Sequence, residues 1–489
     1  MSSSGTSSAL IKDLMFRGAS DVLNALIGLA IIALVARQLD TGAYGIYTQV
    51  ITTVSLFVPL LLLRLNTACV RFFPTITNDK ADLRRHFTTV VLTVFAVSLT
   101  AVVLFVTASK LSVQLIFGQA VPLQLMLLLC SYLLLRSMVT LFIDYFRAMN
   151  RSTLASGYNS SRFLLVLLCL IYAALSNSGV RGILCAHVAA ELLILVVSGY
   201  HLYREQVLGF IAQWQPQDIK PYLAYSLPLL PYSMFLSVNQ FADRYFITHL
   251  VGLEATGIYS FSYTLIMSAF LLSGSISYVI YPHLCRLWED GNMDAVRDQI
   301  ETGQRLFIVI AIPIAFGFFA IYAAVVSAMV GPEFVISMIA VISIVVGQIM
   351  LGLCSIFGLI IGLSKRTTFF IKVLFATATL NLILNTLLVP SYGIAGAAVA
   401  TAITYAAQLL LMWFATREIA PFKLRVDFRF IGQCSVLAAV MLACLQLLQP
   451  LNGIGDIFLT VSLGALIYLA SALAMFRQHI KEARALFVE

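Results

Sequence analysis

The chain has 489 residues, of which 61% are hydrophobic and only 11% charged. Its mean hydropathy is +0.96, and soluble globular proteins carry about 25% charged residues, so a soluble fold is excluded. The net charge of +8 would suit nucleic acid, but its distribution along the chain points to membrane topology instead.

About fourteen apolar runs follow one another, each near the ~20 residues a helical crossing requires. They lie at 12–37, 44–68, 87–108, 120–147, 154–176, 180–200, 222–249, 256–282, 303–329, 334–363, 368–389, 394–416, 430–449 and 455–476. The runs are too long and continuous for barrel strands of ~10 residues, so an all-α membrane protein is predicted. The first run is read as a spanning helix and not a cleaved signal, because no small-residue cleavage site ends it. Pro59, Pro228, Pro231 and Pro313 interrupt runs, and each removes a backbone hydrogen bond and invites a bend.

With the N-terminus in the cytoplasm, about 23 of the 30 Lys and Arg fall on cytoplasmic segments. These include Arg71, Lys80, Arg84 and Arg85, then Lys365, Arg366 and Lys372, then Arg417, Lys423, Arg425 and Arg429. The outside segments hold about three, Arg37, Lys110 and Arg181. An even helix count puts both ends in the cytoplasm. Nucleic acid is not expected as a partner. The eight cysteines lie in or near apolar runs without a CxxC, so neither a metal nor a disulfide is expected. No GxxxxGK[ST] loop is present, and no cofactor is expected.

The chain repeats itself. Ala43-Tyr-Gly-Ile-Tyr-Thr48 matches Ala255-Thr-Gly-Ile-Tyr-Ser260, an offset of about 212 residues. Gly179-Val-Arg-Gly182 matches Gly393-Ile-Ala-Gly396, and Arg151-Ser-Thr153 matches Lys365-Arg-Thr367, both at an offset of about 214. Two pseudo-symmetric six-helix lobes follow, at 1–213 and 214–426. Two additional helices and a cytoplasmic tail occupy 427–489. An even repeat keeps its orientation in the membrane, which is a transporter's arrangement.

Three further stretches carry a resemblance. The first is Pro228-Leu-Leu-Pro231 with Asn239-Gln-Phe-Ala-Asp243-Arg244 and Gly257-Ile-Tyr259. The others are Val389 to Thr401 and Ala36-Arg-Gln-Leu-Asp-Thr-Gly-Ala-Tyr-Gly-Ile-Tyr47. Their order and spacing resemble the polysaccharide transporter (Wzx-like flippase) branch of the multidrug/oligosaccharidyl-lipid/polysaccharide (MOP) superfamily. The resemblance implies flipping of undecaprenyl-diphosphate-linked oligosaccharide across the cytoplasmic membrane by alternating access. It also implies a V-shaped two-lobe bundle with a central cationic cavity. Only Asp243, Arg244 and the Gly-Ile-Tyr turns carry over by motif. Expected partners are the lipid-linked oligosaccharide and membrane lipids, with a polysaccharide polymerase and glycosyltransferases alongside.

The cavity residues are read from this sequence alone. A charge at the centre of a spanning helix costs roughly 2.5–3.5 kcal/mol on insertion scales, so such residues must face partners or water. Helical spacing places Arg136, Thr140, Asp144 and Arg147 on one face, and Arg17, Asp21, Asn24 and Gly28 on another. Ser233, Ser237, Gln240 and Arg244 form a third stripe, with Arg64 and Arg162 in neighbouring runs. Substrate-site candidates are therefore Arg17, Asp21, Arg64, Arg136, Asp144, Arg162, Gln240, Asp243 and Arg244. His187 and Glu191 are candidates for ion coupling. A competing reading makes Arg136 with Asp144, and Arg17 with Asp21, internal ion pairs that hold helices together. Two other functions compete. A MATE-like drug or cation antiporter shares the architecture but usually stops at twelve helices. A membrane polysaccharide polymerase is an enzyme and would need a large outer loop, whereas the outer loops here are short.

Overall fold

The computed structural model describes residues 3–76, 79–208, 215–366, 368–424, 427–446 and 454–475. Among them, all regular structure is helical. The chain divides into two compact units, Met1–Gly257 and Ile258–Glu489.

The first unit contains α1 (Ser3–Gln38), α2 (Thr41–Leu61), α3 (Leu65–Ile76), α4 (Lys80–Thr107), α5 (Ser109–Phe117) and α6 (Leu123–Ala148). It continues with α7 (Ser152–Leu175), α8 (Gly179–Arg204), α9 (Pro216–Ser226), α10 (Leu230–Leu250) and the start of α11 (Leu253–Ala269). Helix starts follow local chemistry. Asp40 sits in extended conformation and accepts from Ala43 N at 2.7 Å, and Asp79 accepts from Ala81 N at 2.8 Å. Each such cap contributes about 1 kcal/mol. Helix α6 is the hub and packs against α2, α3, α4, α7 and α8, while α1 lies on α7 and α10 on α2.

The predicted run 44–68 is broken. Between α2 and α3, Leu63 and Arg64 adopt left-handed backbone with φ of 48° and 57°. That conformation costs non-glycine residues roughly 1–2 kcal/mol each. Burial of Leu61, Leu62 and Leu65 around the break offsets it. The bonds Leu65 N to Leu62 O at 2.8 Å and Thr67 N to Arg64 O at 3.0 Å restart the ladder. Pro228 lies in a single 3-10 turn, Leu227–Leu229, that joins α9 to α10.

The second unit contains α12 (Leu271–Glu289), α13 (Met293–Met329), α14 (Met338–Leu363), α15 (Thr368–Ile419), α16 (Phe428–Gln446) and α17 (Ile454–Met475). Helix α13 packs against α12, α14, α16 and α17, and α14 against α15.

Among the described residues the fourteen apolar runs fall mainly on helix, with 44–68 broken at Leu63 and Arg64 and 334–363 helical through α14 only from Met338. Eleven helices are long and apolar enough to span a membrane among the described residues. One of them, α15, runs for 52 residues and turns at Gly393, whose φ and ψ are 53° and −129°. That turn separates the runs 368–389 and 394–416. The α9–α10 and α11–α12 pairs cover the runs 222–249 and 256–282 as interrupted helices. The total is consistent with about fourteen crossings. The Gly393 conformation belongs to glycine alone, so Gly393→Ala should destabilise the protein by about 1–3 kcal/mol. Thermal unfolding of the purified variant in detergent measures it; an unchanged midpoint would mean that the kink does not need glycine.

Candidate site of buried charges

Five charged side chains are buried among the described residues: Asp144, Arg162, Glu191, Asp243 and Arg244. All lie in the first unit. The second unit's buried polar residues are uncharged, for example Gln348, Asn381, Asn385 and Thr404. There Tyr263 accepts from Gln348 Nε2 at 3.3 Å, and Asn381 Nδ2 donates to Thr404 Oγ1 at 3.3 Å.

The largest cluster built on these buried charges joins α6, α7 and α8. Glu191 on α8 is fully buried. Its Oε1 accepts from Arg162 Nη1 at 3.2 Å and from Arg136 Nη1 at 3.4 Å. Its Oε2 has no hydrogen-bond partner, and neither does Arg162 Nε. The Arg162 guanidinium also lies 4.3 Å from the centre of the Phe163 ring. One turn before Glu191, His187 meets the Tyr47 hydroxyl at 3.2 Å through Nε2. The rings of Tyr47 and Tyr132 lie 5.6 and 5.4 Å from its own. The cluster thus carries two guanidiniums against one carboxylate. Its bonds exceed the ~2.7–2.9 Å of tight charge-assisted pairs, so the arginines are held but not locked.

A second group surrounds the α2–α3 break. Asn66 Nδ2 donates to Asp144 Oδ2 at 2.8 Å, and Arg147 pairs with Asp144 Oδ1. Arg64 is half-buried, and its Nε has no partner. Broken helices inside a membrane are found where backbone lines a cavity or is buried in protein.

A third group is on α10. Arg244 Nη1 donates to the Gln240 carbonyl at 2.7 Å and to Asp243 Oδ1 at 3.2 Å. Asp243 Oδ1 also accepts from Arg244 N at 2.8 Å. This pair sits on the helix that packs against α2. Tyr245 meets Thr53 there at 2.8 Å, and Thr248 donates to Gln49 Oε1 at 3.3 Å.

The candidates therefore separate. Arg136 and Arg162 come together with both coupling candidates, Glu191 directly and His187 one turn away. Asp144 joins Asn66 and Arg147; Gln240, Asp243 and Arg244 form their own group. Asp21 is exposed on α1, and the side chain of Arg17 lies outside the described residues. The spacing of Arg136 and Asp144 suggested a pair, yet each finds a different partner. Tyr47, Tyr132 and Asn66 were not singled out for these roles. The only sequence signals are that Tyr47 ends a Gly-Ile-Tyr motif, which the structure places inside α2 and not in a turn, and that Asn66 follows Arg64 by two positions.

The fold is a multi-helix one shared with solved structures of a flippase and of a multidrug transporter. A structure of the lipid II flippase MurJ in an inward closed conformation covers 95% of this chain and 100% of its own, with a TM-score of 0.78 and 14% identity. An inward-facing MATE family multidrug resistance transporter of the MOP superfamily covers 81% of this chain and 94% of its own, with a TM-score of 0.63 and 14% identity. The chain belongs to the family described as polysaccharide biosynthesis protein, whose pattern matches residues 10–288. The probable low-salt glycan biosynthesis flippase Agl15 of Haloferax volcanii is 23% identical over 259 residues. That match spans 51% of this chain and 54% of Agl15.

Proposed function

We propose that this chain is a flippase. It moves undecaprenyl-diphosphate-linked oligosaccharide from the cytoplasmic to the outer face of the cytoplasmic membrane, by alternating access. The product feeds O-antigen, capsule or exopolysaccharide synthesis, with both termini of the chain in the cytoplasm. It acts as a transporter, and the polymerase and glycosyltransferases are separate partners.

The observation that carries this reading is the Arg136–Arg162–Glu191 cluster in a fold shared with a lipid II flippase. A sugar headgroup crossing bare hydrocarbon would lose many hydrogen bonds, each worth several kcal/mol. A polar path removes that barrier while the lipid tail stays in the bilayer. Guanidinium forks match phosphate oxygens in pairs, and each guanidinium has five donors. Here two of them share one carboxylate oxygen, so most donors remain for a diphosphate. Arg64, at the helix break, adds a third cation with an unpartnered Nε.

Glu191 gives the cycle its coupling step. A diphosphate and the Glu191 carboxylate compete for the same two guanidiniums. A proton on the bare Oε2 would neutralise Glu191, weaken its bonds from Arg136 and Arg162, and so free both guanidiniums for substrate. His187, with Tyr47 and Tyr132 around it, lies one turn away on the same helix as a relay.

Deletion of the gene tests the function. Lipid-linked oligosaccharide should accumulate where a probe confined to the outer face cannot reach it. Wild type should reverse the accumulation, and the Arg64→Ala/Arg162→Ala variant should not. No accumulation, or accumulation already at the outer face, would overturn the flippase and favour an antiporter.

A further inference from the structure

We infer that the first unit holds a binding pocket for the phosphate headgroup of an anionic phospholipid at the ends of α4, α6 and α8, apart from the buried charge cluster. A cavity of about 420 Å³ opens where the start of α4, the end of α6 and the turns after α6 and α8 meet. Lys80, Arg151 and Glu205 supply its charges, and Leu83, Met149 and Val207 its apolar wall.

The charges are not equivalent. Arg151 Nη1 donates to both Glu205 oxygens, at 2.7 and 2.8 Å. His201 Nε2 lies 2.9 Å from Glu205 Oε1, and its Nδ1 lies 2.8 Å from the Tyr158 hydroxyl. Partial burial alone would push the Glu205 carboxyl up, but the bonds from Arg151 and His201 outweigh it and hold the group below its ordinary value. Glu205 is therefore an anion at neutral pH, and it cancels Arg151. Lys80 is exposed, and none of the ion pairs among the described residues involves it; the nearby Asp82 pairs with Arg85 instead. The cavity thus carries one uncancelled ammonium beside an apolar wall.

Position selects the ligand. The cavity lies at the ends of three membrane-spanning helices, on the side that the basic loops assign to the cytoplasm. That is the level of lipid headgroups, where basic pockets between spanning helices bind anionic heads. An ammonium is a point charge suited to phosphate, and the wall formed by Leu83, Met149 and Val207 suits the start of an acyl chain. A bound lipid would bridge the turn after α6 and the end of α8, next to the helices that carry Arg136, Arg162 and Glu191.

The test uses the purified full-length protein in a neutral detergent and reads thermal stability, so it stands whether or not the chain proves to be a flippase. Saturating phosphatidylglycerol should raise the unfolding midpoint by about 3–5 °C, and phosphatidylcholine should not. Lys80→Ala should lose most of the shift and Lys80→Arg should keep it. Leu83→Trp, which fills the cavity without changing charge, should also lose it. An equal shift with phosphatidylcholine, or an undiminished shift in Lys80→Ala and Leu83→Trp, would overturn the pocket. The same shift with inorganic phosphate or glycerol phosphate would overturn the lipid as its ligand and leave a site for free anions.

Discussion

Glu191→Ala should destabilise the protein by about 3–5 kcal/mol, the largest loss expected from any single truncation in the first unit. The reason is the company Glu191 keeps. It is fully buried, and Arg162 is nearly so. Removing the carboxylate leaves the buried Arg162 guanidinium without a counter-charge. Arg136 suffers less, because a quarter of its side chain is exposed. Glu191→Gln keeps an oxygen for the two arginines and should cost less than alanine. The double change Glu191→Leu/Arg162→Leu should also cost less than Glu191→Ala, although it removes more polar atoms, because it strands no buried ion. Unfolding in detergent, followed by thermal or denaturant midpoint, gives the ranking. If Glu191→Ala proved no worse than the double leucine variant, the arginines would not depend on Glu191.

Gly45→Ala should be nearly as damaging, for a steric reason. A β-carbon at Gly45 would stand 1.9 Å from the Leu253 carbonyl oxygen, at the start of α11. At Gly257 it would stand 2.7 Å from Thr41 O and 2.8 Å from Gly45 N. The obstructing atoms are backbone, so neither site can relax by turning a side chain. Helix α2 and the start of α11 would have to separate, which would break the bond from Thr41 Oγ1 to Glu254 Oε1 at 2.8 Å. Overpacking costs about 1–3 kcal/mol even in cores that can adjust, and the low end is not expected here. Gly28 is the control: nothing lies within 4 Å of its β-carbon position. Gly28→Ala should be neutral or stabilising by up to about 1 kcal/mol through helix propensity. A Gly45→Ala variant as stable as Gly28→Ala would show that the two helices are not in backbone contact. These two glycines begin the two Gly-Ile-Tyr motifs that repeat along the chain, one in α2 and one in α11, and they meet in space.

Much of this is legible in the sequence. Hydrocarbon requires long apolar helices and penalises unpaired backbone, so hydropathy alone gave the all-helical class and a run count with which the eleven spanning helices are consistent. The gap between the runs 368–389 and 394–416 marked the division of α15 that falls at Gly393. The stripe of Arg136, Thr140 and Asp144 follows the helical period, and Thr140 Oγ1 does bond back to Arg136 O at 2.7 Å.

The sequence by itself therefore determined the class, the placement of helices and the concentration of buried charge toward the N-terminal part. Each of these depends on local chemistry or on the cost of taking a residue out of water. Tertiary structure decided which charges meet. Arg136 turned from Asp144, two turns away on its own helix, to Glu191 on α8. Arg162, with no acid on its own helix, took the same oxygen. The left-handed break at Leu63 and Arg64 was also decided there, because neither residue favours that backbone and only the packing of the leucines around it makes it stable. Helical period says which side chains share a face; it carries no information about which face another helix will bring to it.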